Sequence, residues 1–352
     1  MSENQGAKGS VKVFREGPVG HLLLSSPHNL NALSLETVIA LYEGLLQHES
    51  DEQVFAIVIR SESGRAFCAG GEMKTLRQLA IDERFDNISR FFEQEYTLNL
   101  RIANCRKPYI ALLNGITMGG GLGISVHGSF QVATQNTVMA MPETRIGFFP
   151  DVGASYFLQR LEQRAGYWLG LTSQSVRAQE SIAVGLATHF IPAEDLTAML
   201  SALTSTLNST VTGSVEAWHR ETHRILSDFC QYKVDETVAA TLKNRAKWFA
   251  DNDLKLIRQR LQSAMENSEM SEDATKTDAE NLLHLLDTGS PYSANITVGL
   301  FEQTKTLSLR DCLEQERSLA GVAIRHPDFI EGIRAVLVDK DRQPVWQAQD
   351  TG

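Results

Sequence analysis

The sequence predicts an α/β protein whose C-terminal part is helical. Before residue 200, short apolar runs alternate with glycine-containing turns and helical segments, a pattern typical of crossover units that build a largely parallel sheet. After residue 200, strand-like runs almost disappear and apolar residues recur at helical spacing. We therefore expect a core over residues 11–200 and a helical region over residues 201–346.

Each predicted element follows from a local pattern. The strand candidates are short apolar runs: "HLLLSS", "VFAIVIRS", "PYIALLNG", "FQVAT" and "TVMAMPE". The segment "SLETVIALYEGLLQHE", between the first two, has the pattern of a helix. In the C-terminal part, "VDETVAATLKNRAKWFAD" places Val234, Val238 and Leu242 on one helical stripe. The polar stretch "SEMSEDATKTDAEN" is predicted to be a loop that enters a helix capped by Asp278 or a neighbour.

Composition narrows the class of protein. The chain has 352 residues, of which 42% are hydrophobic, so it can bury a large core. Its 33 basic and 43 acidic side chains give a net charge of −10, which disfavours a nucleic-acid groove or an anionic membrane surface as partner. No run of 18 apolar residues occurs, so no membrane span is expected. A small molecule is the expected partner, and a homo-oligomer is possible.

The cysteines and the N-terminus indicate the compartment. The four cysteines are widely spaced and form no CxxC pair, which disfavours a disulfide framework or a zinc site. The start, "MSENQGAKGS", has neither an apolar signal segment nor an Arg-rich amphipathic one. We expect an intracellular protein, which would lie in the cytoplasm of a bacterium, with the mitochondrial matrix as the alternative in a eukaryote.

Two segments share a strand–loop–glycine–helix pattern: residues 54–80, "VFAIVIRSESGRAFCAGGEMKTLRQLA", and residues 108–128, "PYIALLNGITMGGGLGISVHG". Glycine at such a junction lets a backbone N–H approach a ligand, and a helix N-terminus adds partial positive charge. Two converging N–H groups form an oxyanion hole. We choose Gly71 and Gly120 as the donors.

The glycines have three alternative roles to weigh. They could simply allow close helix packing, which the residues alone leave open. A phosphate loop would require the lysine and Ser/Thr of GxxxxGK[ST], which are absent. Ser125, in "GISVHG", gives GxSxH rather than the GxSxG of a nucleophile elbow, and it falls within the predicted helix.

The segment "MAMPETRIGFFPDVGASYFLQRL", residues 139–161, contains two carboxylates in apolar, proline-containing surroundings. Glu143 and Asp151 would be costly there unless they are paired, hydrogen-bonded or protonated, which favours acid/base chemistry with tuned pKa values. Both could instead cap helices, and Asp151 is a fair N-cap candidate. Composition alone does not decide between these interpretations.

The motifs together resemble the crotonase (enoyl-CoA hydratase/isomerase) superfamily and, within it, the 3-hydroxyisobutyryl-CoA hydrolase branch. The resemblance extends over nearly the whole chain. The motifs that carry it are "NLNAL" (29–33), "GRAFCAGGE" (64–72), "FFEQEYTLN" (91–99), "KPYIALLNGITMGGGLGISVHG" (107–128), "MPETRIGFFPDVG" (141–153) and "HPDFIEGIRAVLVDKDRQPVW" (326–346).

This resemblance implies a crotonase (ClpP-like) fold, a spiral of ββα units whose C-terminal helices cover the site. It implies an acyl-CoA thioester as ligand, with its carbonyl oxygen bound by the N–H groups of Gly71 and Gly120. Glu143 matches the family's catalytic glutamate, and Asp151 matches the aspartate that marks the hydrolase branch. No cofactor or metal is expected, since CoA belongs to the substrate.

The resemblance also separates two activities. A hydratase of this family needs a second carboxylate two residues after the glycine triplet, where this chain has Gly123. Hydrolysis of 3-hydroxyisobutyryl-CoA in valine catabolism is therefore favoured over hydration or isomerisation of an enoyl-CoA. Glu95 matches a substrate-contacting glutamate, although the residues alone also fit an exposed helix position. Ala32 and Ala69 are the CoA-binding residues that the resemblance implies.

The pair His219 and His223 in "HRETH" has helical i, i+4 spacing but lacks the HExxH order and any obvious third ligand. We interpret it as an exposed helix face rather than a metal site.

Overall fold

The computed structural model describes residues 10–209, 214–232, 235–266 and 273–348. Its strands are β1 (Val11–Glu16), β2 (Val19–Leu24), β3 (Ala56–Ser61), β4 (Ala66–Cys68), β5 (Tyr109–Leu113), β6 (Ile116–Met118), β7 (Phe130–Ala133), β8 (Val138–Ala140), β9 (Val176–Arg177) and β10 (His189–Phe190).

The α-helices are α1 (Leu35–Ser50), α2 (Met73–Ile81), α3 (Phe85–Ala103), α4 (Gly120–Gly123), α5 (Ala154–Phe157), α6 (Ala165–Thr172), α7 (Ala178–Ala183), α8 (Leu196–Ser209), α9 (Val215–Phe229), α10 (Glu236–Trp248), α11 (Leu254–Glu266), α12 (Asp273–Thr288), α13 (Pro291–Thr304), α14 (Leu309–Ala323) and α15 (Pro327–Ile333). Short 3₁₀ helices cover Pro27–Asn29, Glu143–Ile146, Leu158–Arg160, Glu162–Arg164 and Ala193–Asp195, and a π-helical turn covers Arg334–Val338.

The strands form two sheets that the chain visits alternately. One has six strands in the order β1-β2-β3-β5-β7-β10, and the other has four in the order β4-β6-β8-β9. The successive pairs β3/β4, β5/β6 and β7/β8 each contribute one strand to each sheet. Within the larger sheet, β2, β3, β5, β7 and β10 pair in parallel. The predicted α/β spiral with a largely parallel sheet is confirmed.

The contacts divide the chain into two interleaved units. The first comprises Met1–Gly71, Gln94–Met139 and Val176–Val234, and the second comprises Glu72–Glu93, Ala140–Ser175 and Asp235–Gly352. The domain division near residue 200 stays a prediction, and so does the covering role of the C-terminal helices.

The core of the first unit lies between the larger sheet and two helices. Every residue of β5 is buried, as expected for a strand covered on both faces. Apolar side chains of β3, β5 and β7 pack against those of α8 and α9; examples are Val58, Ile110, Val132, Leu203 and Leu226. At the start of α1, the Ser34 side chain accepts a hydrogen bond from the Thr37 N–H, which fixes where that predicted helix begins.

The second unit is mostly helical. All eight residues of α6 are buried, and α10, α12 and α13 pack around this helix. Helix α15 packs on α2 and on the 3₁₀ helix Glu143–Ile146, and α14 packs on α5. The predicted helical character of the C-terminal part is therefore confirmed. None of the helices in the described ranges is both long and apolar enough to cross a membrane.

Two details of the sequence prediction change. Asp278 lies inside α12 and accepts two hydrogen bonds from Arg245, at 2.9 and 2.8 Å, so the prediction that Asp278 itself caps a helix is wrong. On α10, Leu242 is buried and Val238 is half-buried, whereas Val234 lies outside the described residues.

Candidate active site

The two predicted oxyanion donors lie close together in the first unit, because β4 and β6 are parallel neighbours and each leads into one glycine segment. A Cβ on Gly70 would lie 3.0 Å from the Met118 carbonyl oxygen and 3.5 Å from the Gly120 nitrogen. A Cβ on Gly120 would lie 3.5 Å from the Gly71 nitrogen. Gly70 has a φ of +96° and Gly119 a φ of +51°, both in the region that favours glycine.

The role of these two N–H groups as oxyanion donors stays a prediction. Among the described residues, the backbone hydrogen bonds of turns and loops do not use the N–H of Gly71 or Gly120. The helix after the glycine triplet, however, is a single turn, Gly120–Gly123. The prediction that this helix continues through Ser125 is wrong, so a helix macrodipole adds little at Gly120.

Glu95 is a buried residue of α3, only 2% exposed. Its Oε1 atom occupies the space that a side chain on Gly120 would need, and Leu33 Cδ1 would lie 3.1 Å from that same Cβ. The structure therefore brings Glu95, Gly71 and Gly120 together, and the alternative of an exposed helix charge is wrong. Glu93, by contrast, is exposed.

Two potential nucleophiles near these glycines are inert. Burial, together with the charge of Glu95, raises the pKa of the Cys68 thiol to about 12, so a thiolate does not form at neutral pH. The hydroxyl of Ser125 is buried and donates to the carbonyl oxygens of Gly121 and Leu122, at 2.8 and 3.0 Å. A serine nucleophile elbow is therefore excluded.

The loops that carry Ala32 and Ala69 are hydrogen-bonded to each other. The Leu33 N–H donates to the Gly70 carbonyl oxygen at 2.8 Å, and the Ala69 N–H donates to the Leu30 carbonyl oxygen at 3.0 Å. Both alanines are half-buried. The Ala69 N–H is thus used within the chain, and the implied CoA contacts at these alanines stay predictions.

Glu143 begins a 3₁₀ helix in the second unit, directly after Pro142, and its side chain is buried. Two glycines allow the backbone of other segments to approach this helix. A Cβ on Gly147 would overlap the Asp328 carbonyl oxygen, and a Cβ on Gly332 would lie 2.7 Å from Ile146 Cα. The C-terminal block 326–346 therefore supports the segment that carries Glu143.

A side-chain and backbone network holds the same 3₁₀ helix from other directions. The Thr144 carbonyl oxygen accepts from the Ser290 N–H at 2.9 Å, and the Thr144 hydroxyl lies 2.8 Å from that of Ser173. The Ser290 hydroxyl donates at 2.6 Å to Asp328, which is fully buried. Because each of these groups is inaccessible to water, the helix has little freedom to move.

Asp151, also buried in the second unit, precedes a tight turn rather than a long helix. Its carbonyl oxygen accepts from the Ala154 N–H at 2.9 Å. The two residues between them, Val152 and Gly153, have φ values of +55° and +83°. A β-branched residue in this region is rare, so the loop is held in an unusual conformation.

Sequence reasoning missed Glu316, which lies on α14 and is fully buried. Its carboxyl group accepts hydrogen bonds from the loop that follows Asp151. Burial raises the pKa of Glu316 to about 8, and the nearby charge of Asp151 contributes to that rise. One signal was present in the sequence: Glu316 falls on the stripe of buried residues that includes Cys312 and Ala320.

The histidine pair of α9 packs against an aromatic ring. His219 is half-buried and contacts the Arg106 carbonyl oxygen at 3.1 Å, whereas His223 is exposed. Their rings lie 6.3 and 6.2 Å from that of Phe130, measured between centroids. Within the part of the chain that the structure describes, no group of three or more His, Cys, Asp or Glu residues could hold a metal ion.

Comparison with known proteins agrees with this fold and these motifs. Residues 19–352 match the family model described as enoyl-CoA hydratase/isomerase. The 3-hydroxyisobutyryl-CoA hydrolase, mitochondrial, of Homo sapiens is 36% identical over 99% of this chain and 87% of that protein. The protein of the same name from Rattus norvegicus is 37% identical over 97% and 85%, respectively.

Two solved structures cover almost the whole chain. A carnitinyl-CoA dehydratase from Mycobacterium thermoresistibile has 29% identity and a TM-score of 0.82, covering 96% of this chain and 91% of that one. An enoyl-CoA hydratase from Rhodobacter sphaeroides 2.4.1 has 28% identity and a TM-score of 0.82, covering 97% and 93%.

The chain therefore belongs to the enoyl-CoA hydratase/isomerase family, and the predicted crotonase fold is confirmed. Within that family, relatives named 3-hydroxyisobutyryl-CoA hydrolase match almost the whole chain at 36–37% identity, so that the predicted branch is confirmed as well.

Proposed function

We propose that this chain hydrolyses an acyl-CoA thioester, with 3-hydroxyisobutyryl-CoA as substrate and 3-hydroxyisobutyrate and CoA as products. The names and coverage of the curated relatives support this assignment. The observation that carries it is Gly123, a buried glycine at the position where a hydratase of this fold needs a carboxylate. Asp151 supplies a buried carboxyl group elsewhere in the chain.

In the proposed reaction, the thioester carbonyl oxygen accepts hydrogen bonds from the N–H groups of Gly71 and Gly120. These donors stabilise the negative charge that develops on the oxygen, and losing one such donor typically costs roughly 3 to 4 kcal/mol in the transition state. Glu143 either attacks the carbonyl carbon, forming a mixed anhydride, or removes a proton from an attacking water. In either route the C–S bond breaks as the tetrahedral intermediate collapses, and the leaving sulfur receives a proton to give CoA thiol. In the first route this step yields the mixed anhydride, which water then hydrolyses to 3-hydroxyisobutyrate, restoring the Glu143 carboxylate.

Asp151 and Glu95 have further proposed roles. Asp151 transfers a proton or orients the substrate hydroxyl, and Glu95 contacts the substrate beside the Gly120 backbone. Water, the two N–H donors and these carboxyl groups are sufficient for hydrolysis, so we propose no cofactor besides the CoA of the substrate. The relatives bear the word mitochondrial in their names; we propose an intracellular location, the matrix if the source is eukaryotic.

Hydration of an enoyl-CoA is the second candidate, because two solved structures of similar fold are named as a dehydratase and a hydratase. Thiol release from 3-hydroxyisobutyryl-CoA and loss of enoyl absorbance from crotonyl-CoA separate the two activities. We expect thiol release alone. Loss of enoyl absorbance without thiol release would replace the proposed function by the second candidate.

The variant Glu143→Gln provides a matched test of the chemistry. The amide keeps the volume of the side chain but can neither attack a carbonyl nor accept a proton, so we expect kcat to fall by at least about 10³-fold while acyl-CoA binding persists. Steady-state thiol release at saturating substrate measures the first quantity, and calorimetric titration with the substrate measures the second. A variant with near wild-type kcat would remove Glu143 from the mechanism.

A further inference from the structure

Glu316 is a buried carboxyl group that binds backbone and hydroxyl donors, and among the described residues it forms no salt bridge. It lies on α14, 165 residues after Asp151 in sequence, and is 0% exposed. Oε2 accepts from the Gly153 N–H at 2.7 Å. Oε1 accepts from the Ser155 N–H at 2.9 Å and from the Ser155 hydroxyl at 2.6 Å. Both carboxyl oxygens thus bind the segment directly after Asp151.

The turn that starts at Asp151 needs an external support. Its two central residues, Val152 and Gly153, both have positive φ, the pattern of a type I′ turn, which strongly favours Asn and Gly at those positions. A valine there carries strain of the order of 1–3 kcal/mol. Such strain persists only when the surroundings fix the conformation, and the bonds from Gly153 and Ser155 to Glu316 do so.

The chemistry of this support is costly for a purely structural contact. A carboxyl group without access to water loses its hydration, and a second acidic group nearby adds repulsion. Asp151 is close enough to raise the pKa of Glu316 electrostatically. An apolar side chain on the stripe of Cys312 and Ala320 would avoid these costs, but it could not accept the three hydrogen bonds.

We propose that Glu316 is a positioning residue, which fixes the turn Asp151–Ala154 and thereby the direction of the Asp151 carboxyl group. The inference rests on the proposed function, in which Asp151 acts on the acyl group. Glu316 itself touches no substrate; it acts through the backbone of Gly153 and Ser155.

The variant Glu316→Gln tests this role. One carboxyl oxygen becomes an NH₂ group, which faces a backbone N–H or hydroxyl donor and cannot accept from it. We expect kcat to fall at least about tenfold and KM to change by less than about threefold, the split that misplaced catalytic groups produce. The control is Glu314→Gln on the same helix, whose side chain is exposed and bonds Arg317; its kcat should stay within about twofold of wild type.

A double-mutant cycle distinguishes positioning from a general loss of structure. If Glu316 acts through Asp151, the variant Asp151→Asn with Glu316→Gln should be no more than about twofold slower than Asp151→Asn alone. Multiplied losses in the double variant, with both single variants folded, would overturn the inference. Ser155→Ala removes the hydroxyl donor and thus one of the three hydrogen bonds to Glu316. We expect its kcat to fall less than that of Glu316→Gln.

Hydrogen exchange tests the inference without turnover. The N–H groups of Gly153 and Ser155 should be protected in the wild type and should exchange at least about tenfold faster in Glu316→Gln, while Glu314→Gln leaves them unchanged. If the wild type fails to release thiol, the proposed function is overturned, whereas unchanged exchange in Glu316→Gln overturns the positioning role by itself.

Discussion

At the scale of single residues, the space beside Gly120 is too small for any side chain at that position. A methyl group there would overlap Glu95 Oε1 and crowd Leu33 Cδ1. We expect Gly120→Ala to displace Glu95 or the backbone donor and to lower kcat/KM by at least about 10²-fold, since removing one oxyanion donor has an effect of that size.

The control for this substitution is Gly299→Ala. A Cβ on Gly299, within α13, meets nothing within 4 Å. Alanine is favoured over glycine in a helix interior by roughly 0.5–1 kcal/mol, so that this variant should be slightly more stable and fully active. Thiol-release kinetics and thermal unfolding of the two variants provide the comparison; full activity of Gly120→Ala would show that the glycine has only a packing role.

Glu95 gives a prediction about specificity. A buried carboxylate that bonds a substrate hydroxyl loses its partner when that hydroxyl is missing, which can discriminate by orders of magnitude. We expect the wild type to prefer 3-hydroxyisobutyryl-CoA and 3-hydroxypropionyl-CoA strongly over isobutyryl-CoA, and Glu95→Ala to narrow the ratio of kcat/KM by slowing the hydroxylated substrates. An unchanged ratio would contradict the role of Glu95, and a wild type indifferent to the hydroxyl would contradict the substrate.

At this scale, the sequence could predict which residues are candidates for the site but not which groups surround them. Glu95 and Glu316 each lie on a helical stripe of otherwise buried residues, a pattern that is visible beforehand but does not show what the carboxyl group contacts. The partners of Glu316 lie 163 and 161 residues before it in sequence, and that pairing depends on how α14 packs.

At the scale of elements, the 3₁₀ helix Glu143–Ile146 depends on close contact with α15. A Cβ on Gly332 would lie 2.7 Å from Ile146 Cα, too close for the two backbones to keep their separation. We expect Gly332→Ala to destabilise the protein by about 1–3 kcal/mol, as overpacking does, and to lower kcat because Glu143 moves.

Gly321→Ala is the control for that element, since a Cβ on Gly321, in α14, meets nothing within 4 Å. It should keep wild-type activity and gain a little stability. Denaturant unfolding and thiol release on both variants make the test. If Gly332→Ala had wild-type kcat, the contact between α15 and the 3₁₀ helix would be unimportant for catalysis.

Local patterns predicted the regular elements well and the irregular ones poorly. Short continuous apolar runs located β2, β3, β5, β7 and β8, because a strand that is buried on both faces is apolar along its whole length. The single-turn α4 and the 3₁₀ helix at Glu143 left no such signal, since their shapes are set by glycines and by neighbours distant in sequence.

At the scale of the whole molecule, the change in composition near residue 200 located the helical part, but not the grouping of the chain into units. Helices α8 and α9 pack on the larger sheet of the first unit, and residues 140–175 belong with α10 to α15 in the second. Apolar periodicity shows that a face is buried but not which element covers it, so this interleaving could not be predicted.

The pH dependence of unfolding is a property of the whole molecule to which His21 contributes strongly. His21 is buried, and its ring nitrogens have no hydrogen-bond partner among the described residues. Burial, with Arg60 and His48 nearby, lowers the pKa of His21 to about 4. In the unfolded chain the pKa is about 6.5. Between these two pH values the native state therefore binds fewer protons than the unfolded state. The contribution of neutral His21 to stability is fully present above about pH 6.5 and is lost as the pH falls toward about 4.

Replacing His21 by phenylalanine should remove the contribution of His21 to the acid sensitivity. The new ring can keep the stacking on Phe14, whose centroid lies 4.8 Å from that of His21. Both proteins should lose free energy of unfolding between about pH 7.5 and about pH 5. The wild type should lose about 2 kcal/mol more than the variant. Denaturant unfolding at both pH values measures the difference, with His284→Gln, an exposed position of α12, as the control. Equal losses in wild type and His21→Phe would show that other groups cause the acid sensitivity, because the variant has no titrating side chain at this position.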